Sequence, residues 1–275
     1  MTEAKDWHRD TIERDARDEV GSGWRPEFRP SQANIAIPRA VLEKMYLSPP
    51  TNANPTPLGL VGFLVATLPM SCALMGLGGA GGGGAATSGL GMWFGGTLQM
   101  IACIMEWFLG NTFSFLIFGT FGAAWFALSS AGQAEQAFVD GLTQQGVDQA
   151  AAEAQFQASF AWGLVVFGLL IITFGLCALR TNVVFVVCFA IVSNAVFLLA
   201  GSYWVMARGR GELAVRMQKA VGAIFFFCCV LAWYLLVANL LEVLEFGYSL
   251  PVGDLSAKLG RHGKQAEFRD RSQSV

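Results

Sequence analysis

Six apolar runs, at roughly 58–77, 90–109, 112–131, 159–179, 183–206 and 220–241, restrict what this chain can fold into. Crossing the hydrocarbon core of a bilayer takes about 20 residues of helix, and every run reaches that length. A surface helix of a soluble protein keeps a polar face, whereas these runs are apolar all round. In lipid each backbone amide must be satisfied within the protein, which leaves helices as the form such runs take. The chain therefore reads as all-α, a polytopic membrane protein with six transmembrane helices. Charge follows the same division: residues 55–246 hold 13 charged side chains, while residues 1–50 alone hold 8 basic and 9 acidic ones. Three parts result, a polar arm at 1–52, the six-helix domain at 53–246 and a basic tail at 247–275.

Several function classes drop out. The formal net charge is −2 and no Lys/Arg stripe with interleaved aromatics occurs, so nucleic acid is not an expected partner. Cys72, Cys103, Cys177, Cys188, Cys228 and Cys229 all fall in apolar runs without CxxC spacing. They read as small buried hydrophobes, with neither disulfides nor zinc expected. His8 and His262 lie in the tails. No metal site or cofactor is expected, and with no nucleophile–base pair the chain does not read as an enzyme. The first 30 residues are too charged for a signal peptide.

Residues 1–33 are polar and hold Pro26 and Pro30, a composition that does not support a packed core. Residues 34–47 suit either a helix lying on the membrane surface or a linker. Ala53-Asn54-Pro55-Thr56-Pro57-Leu58-Gly59-Leu60 then opens the first run. Proline is tolerated in a first helical turn, where amide hydrogens lack partners. Asn54 can cap those amides, at a helix end that favours anions. Pro69 should kink the first span, with Thr67 and Ser71 beside the freed groups. The glycine run 78–89 reads as a flexible connector without phosphate-loop chemistry.

In the second run Gly91 and Gly95 permit close helix approach. Gln99, Cys103 and Glu106 share one helical face, and Glu106 is an ionisable group at membrane depth, expected to be functional. Gly110-Asn111-Thr112-Phe113 makes a tight turn, with Asn111 the expected cap of the third helix. Ser114, Phe118, Phe121 and Trp125 form a stripe that suits packing or a pore lining. In the fifth run Ile191 and Asn194 lie three residues apart on one side. Lys/Arg counts in the connectors place both termini in the cytoplasm and the acidic 132–158 connector outside, although Arg208, Arg210, Arg216 and Lys219 run against that assignment.

These motifs resemble the acetate uptake transporter family, which includes the succinate–acetate permeases or YaaH-type proteins. Asn54-Pro55-Thr56-Pro57-Leu58-Gly59-Leu60 is similar to its signature, with Thr56 in place of alanine. Glu106 with Gly110-Asn111-Thr112-Phe113, and Leu250-Pro251-Val252-Gly253-Asp254, resemble its other two motifs. The long arm resembles the fungal branch. The resemblance implies uptake of acetate and other short monocarboxylates, in some members succinate, coupled to protons or channel-like. It also implies a homohexamer in which each protomer has its own path. Carried over, the family's path constriction falls on Phe63, Phe121 and Ile191, with Phe121 where the family usually has tyrosine.

The residues support that expectation in their own way. A bare carboxylate in an apolar constriction costs several kcal/mol or more unless it is hydrogen-bonded, hydrated or neutralised. Helix N-termini and amide side chains lower the cost without trapping the ion. Asn54, Thr67, Gln99, Glu106, Asn111 and Asn194 are the candidate polar lining. The expected partners are a small carboxylate, the lipid bilayer (most simply the plasma membrane) and further copies of the chain. The alternatives are ammonia or ammonium export and a non-transporting membrane sensor of acid stress.

Overall fold

The computed structural model describes residues 53–253 and 255. The surface helix or linker at 34–47, Asp254 and the basic tail from 256 onward lie outside the described residues. Among the described residues six helical segments are long and apolar enough to cross a membrane. The first is α1, Thr56–Met75. The second, Gly82–Phe108, begins with irregular turns and a π-helical stretch, Gly91–Leu98, before α2, Gln99–Phe108. Then follow α3 (Thr112–Gln144), α4 (Gln149–Ala178), α5 (Val183–Ala207) and α6 (Gly211–Val243). Large apolar side chains such as Trp93, Trp107, Phe108 and Trp162 stand exposed on the outside, as an integral membrane protein requires of its lipid-facing surface.

Local chemistry explains where helices start and stop. Asn54 accepts the amide hydrogen of Thr56 at 3.0 Å, so its side chain caps the opening turn of α1. Gly76 ends α1 in the left-handed region, φ 80°, where glycine alone pays no Cβ penalty. Asp148 caps α4 by accepting from the amides of Ala150 and Ala151, and Asn182 caps α5 by accepting from that of Phe185. The expected capping of α3 by the Asn111 side chain does not occur. Its Nδ2 donates instead to Glu106 Oε2 at 2.7 Å, which holds the side chain in an orientation where Oδ1 does not accept from the helix amides.

The connector expected at 132–158 is mostly helix. α3 and α6 have 33 residues each, which at 1.5 Å per residue is about 50 Å, against about 30 Å of hydrocarbon. Ala, Gln and Glu around 132–158 are strong helix formers, so α3 and α4 continue beyond their apolar runs and only a short turn at 145–148 joins them. After α6, the motif around Leu250-Pro251-Val252-Gly253 pairs with the α4–α5 turn. Val183 N–H donates to Gly253 O and Leu255 N–H to Thr181 O, each at 3.0 Å, while Tyr234 OH donates to Pro251 O at 2.9 Å.

Missing side chains set the close approaches. A Cβ on Gly95 would lie 2.8 Å from Ala66 Cβ and inside the Trp125 ring contact, so α1, the π-helical stretch and α3 meet there. A Cβ on Gly222 would lie 2.8 Å from Ser71 O, which brings α6 onto α1. Leu60, Leu64, Phe121, Phe189, Val192 and Leu235 are buried together in the resulting core.

Candidate functional site

Among the described residues, two neighbouring cavities share a wall inside the helix bundle. The wide one, about 790 Å3, reaches from the middle of α1 to the far halves of α3 and α4. The narrow one, about 60 Å3, lies on the side of Asn54. Three side chains line both: Phe63 from α1, Phe121 from α3 and Val192 from α5. Phe63 and Phe121 meet edge to face with ring centroids 6.2 Å apart. Phe167 and Phe189 hold the Phe121 ring from two further sides, at 5.4 and 6.4 Å. Edge-to-face rings hold one another in place, so the partition rests on a braced aromatic and not on a loose side chain.

Polar groups are few and unevenly placed. Thr67, 1% exposed, lines the wide cavity and its Oγ1 has no hydrogen-bond partner. Gln99, equally buried, lines the narrow cavity and its Nε2 has none. Buried polar atoms are nearly always paired, so an unpaired donor on each side of one partition marks two positions ready for a polar visitor. Ser129 Oγ is a third unpaired group, again on the wide cavity. Among the described residues Glu135 is the single charged side chain lining that cavity, which Tyr203 and Gln218 also line.

The other predicted residues lie elsewhere. Ile191 packs partly buried against the core and lines neither cavity. Its neighbour Val192 does, about 100° further round the helix. Asn194 is exposed, and its Nδ2 donates to the carbonyl of Ala190 one turn back, at 2.8 Å. Asn54, Asn111 and Glu106 gather at the start of α1, outside both cavities. Glu106 is fully buried, and both of its oxygens are occupied: Thr56 Oγ1 donates to one at 2.6 Å and Asn111 Nδ2 to the other at 2.7 Å. That network joins the mouth of α1 to the α2–α3 turn.

Sequence reasoning missed Val192, Ser129, Glu135 and the pair Cys188 and Cys228 on the narrow cavity. Ser129 had a signal, since it extends the stripe of Phe118, Phe121 and Trp125 by one more turn of α3. That stripe runs along the cavities: Phe118 lines the narrow one, Phe121 both and Trp125 the wide one.

Comparison with known proteins gives a consistent picture. Protein alcS of Aspergillus fumigatus is 37% identical over 81% of this chain and 86% of its own length. The acetate transporter protein patA of Aspergillus clavatus is 31% identical over 76% of this chain and 81% of its own. The ammonia transport outward protein 2 of Saccharomyces cerevisiae is 28% identical over 66% of this chain and 59% of its own. The fold is similar to that of the bacterial acetate channel SatP, with a TM-score of 0.54 and 24% identity over 74% of this chain and 100% of that one. The model of the GPR1/FUN34/yaaH family matches residues 42–256, and the chain belongs to that family.

Proposed function

We propose that this protein carries acetate and other short monocarboxylic acids across a membrane, with the two cavities of each protomer as the path. The observation that carries the reading is the partition itself: Phe63, Phe121 and Val192 line both spaces, with the unpaired Thr67 hydroxyl on one side and the unpaired Gln99 amide on the other. A small acid hydrogen-bonds to Thr67, slips past the rings and is received by Gln99. Binding at either position is weak enough to release, as conduction requires.

The reading favours passage of the neutral acid. A carboxylate between two phenyl rings would lose its hydration for nothing, and the carboxylate of Glu135 repels anions within the wide cavity. Protonation removes both costs, which couples uptake to protons. The same reading takes the chain as a plasma-membrane protein with both termini in the cytoplasm, assembled as a hexamer, with succinate as a further substrate. Liposomes holding the pure protein and an internal pH dye test it. An inward acetate gradient should acidify the lumen at a rate that scales with protein and rises as external pH falls; a rate equal to that of empty liposomes would reject it.

A second reading, export of ammonia, has one observation in its favour. Glu135 shares the wide cavity with Phe156, Phe160 and Tyr203, and a carboxylate among aromatic faces suits an ammonium ion. Alkalinisation of the same liposomes by an ammonia gradient, without any response to acetate, would select it.

A further inference from the structure

Two thiols face the narrow cavity from neighbouring helices. Cys188 of α5 and Cys228 of α6 both line it, at 8% and 1% exposure. Both stand on the wall of this one small cavity, where α5 packs against α6. Their surroundings are apolar, with Phe185, Phe189, Ala232 and Leu235 on the same wall. Proposed transport uses neither thiol.

We propose that Cys188 and Cys228 form a binding site for one soft, univalent d10 metal ion, of the chemical class of copper(I) and silver(I). Among the described residues no group of three or more His, Cys, Asp or Glu side chains could hold a metal, which excludes tetrahedral zinc and leaves two-coordinate ions. Soft sulfur ligands select such ions over hard ones. Charge balance fits a univalent ion. One thiol gives up its proton to water and binds as thiolate; the other binds through its sulfur lone pair and keeps its proton. The product is neutral, so no net charge is left in an apolar wall, where burying one would cost several kcal/mol. No oxidant or reductant enters the step.

The cavity holds only about 60 Å3, room for about two waters at roughly 30 Å3 each. An ion bridging its wall locks α5 to α6 and fills part of that space. If the transport reading holds, the ion also stops flux; this part alone rests on that reading.

The binding test needs no transport. Silver(I) is titrated into the purified full-length protein, and the retained metal is counted by mass spectrometry after gel filtration against a weak competing thioether. A variant keeping only this pair (Cys72→Ala, Cys103→Ala, Cys177→Ala, Cys229→Ala) should retain one ion per protomer and release one proton per ion. Adding Cys188→Ser or Cys228→Ser should weaken retention at least about a hundredfold, since the second sulfur acts at a high effective concentration. Equal retention after either serine substitution, or no retention by the pair, overturns the proposal. Should the four-alanine variant not fold, Cys188→Ser and Cys228→Ser are each made in the natural sequence. Each should then lose one tightly held ion relative to the parent, and an unchanged count overturns the proposal. Silver retained by protein that shows no acetate flux would leave the metal site standing and sink the transport reading.

Discussion

Thr56 Oγ1 donates a 2.6 Å hydrogen bond to Glu106 Oε1 across 50 residues of sequence. Glu106 is fully buried and takes a second bond from Asn111 on its other oxygen. The first turn of α1 is thereby fastened to the turn between α2 and α3. This carboxylate acts as a clamp for the mouth of α1, which holds Phe63 two turns further on in its place against Phe121.

Removing the hydroxyl tests the clamp. A hydrogen bond to a buried charge contributes about 1.5–3 kcal/mol, so Thr56→Ala should lower the melting temperature of the purified protein by several degrees. Thr56→Ser keeps the donor and should recover most of the loss. Equal melting temperatures for Thr56→Ala and the parent would show that the bond contributes nothing.

Glu106→Gln separates a clamp from a proton carrier. The amide keeps one acceptor oxygen but puts a donor where Thr56 or Asn111 now donates, so stability should fall by about 1–3 kcal/mol. Because Glu106 lines neither cavity, the pH profile of acetate uptake, scaled to the amount of folded protein, should keep its shape. A displaced profile would return this carboxylate to the transport chemistry.

Glu135→Gln should do the opposite. Removing this carboxylate from the wall of the wide cavity should raise acetate uptake at neutral external pH, where the anion dominates, by roughly two- to tenfold, the effect of about 0.4–1.4 kcal/mol of repulsion near a protein surface. Uptake at acidic pH should barely change. No difference at either pH would mean that Glu135 does not act on the permeating acid.

Thr67→Val and Gln99→Leu remove the two unpaired polar groups while keeping much of the volume. Each should cut acetate flux several-fold, since a neutral acid loses about 1 kcal/mol or more of hydrogen bonding at that position. Neither change breaks a bond that the unpaired atoms Thr67 Oγ1 and Gln99 Nε2 make within the protein, so the fold should hold. Full flux in both variants would remove them from the path.

Much of this fold was legible in the sequence because membrane spans announce themselves. A run of about 20 apolar residues has few other destinations, and all six spans lie where such runs occur. The lengths of α3 and α4 were less legible, since Gln133, Glu135 and Gln144 resemble loop composition even though they extend a helix into water. Site residues were harder again. Ile191 follows from the family resemblance, and in the apolar stretch before Ser193 nothing in the sequence separates it from Val192, although one residue turns a side chain by about 100°. Asn194 looked like lining because it is polar, yet it satisfies itself on the Ala190 carbonyl and stays exposed. Glu106 stood out as ionisable at membrane depth, but its partner Thr56 is distant in sequence and only folding brings the two together.

The partition between the two cavities is the centre of the functional account, and solute selectivity measures it directly. Uptake of labelled acetate and labelled hexanoate is compared in liposomes, for the parent and for Phe121→Ala, with Ile191→Ala alongside. Removing the Phe121 ring from between the cavities should raise the hexanoate-to-acetate ratio at least about tenfold, the effect of about 1.4 kcal/mol on a steric barrier, while Ile191→Ala leaves the ratio as in the parent. An unchanged ratio in Phe121→Ala, with acetate still carried, would contradict the account by showing that solutes cross somewhere other than between these rings.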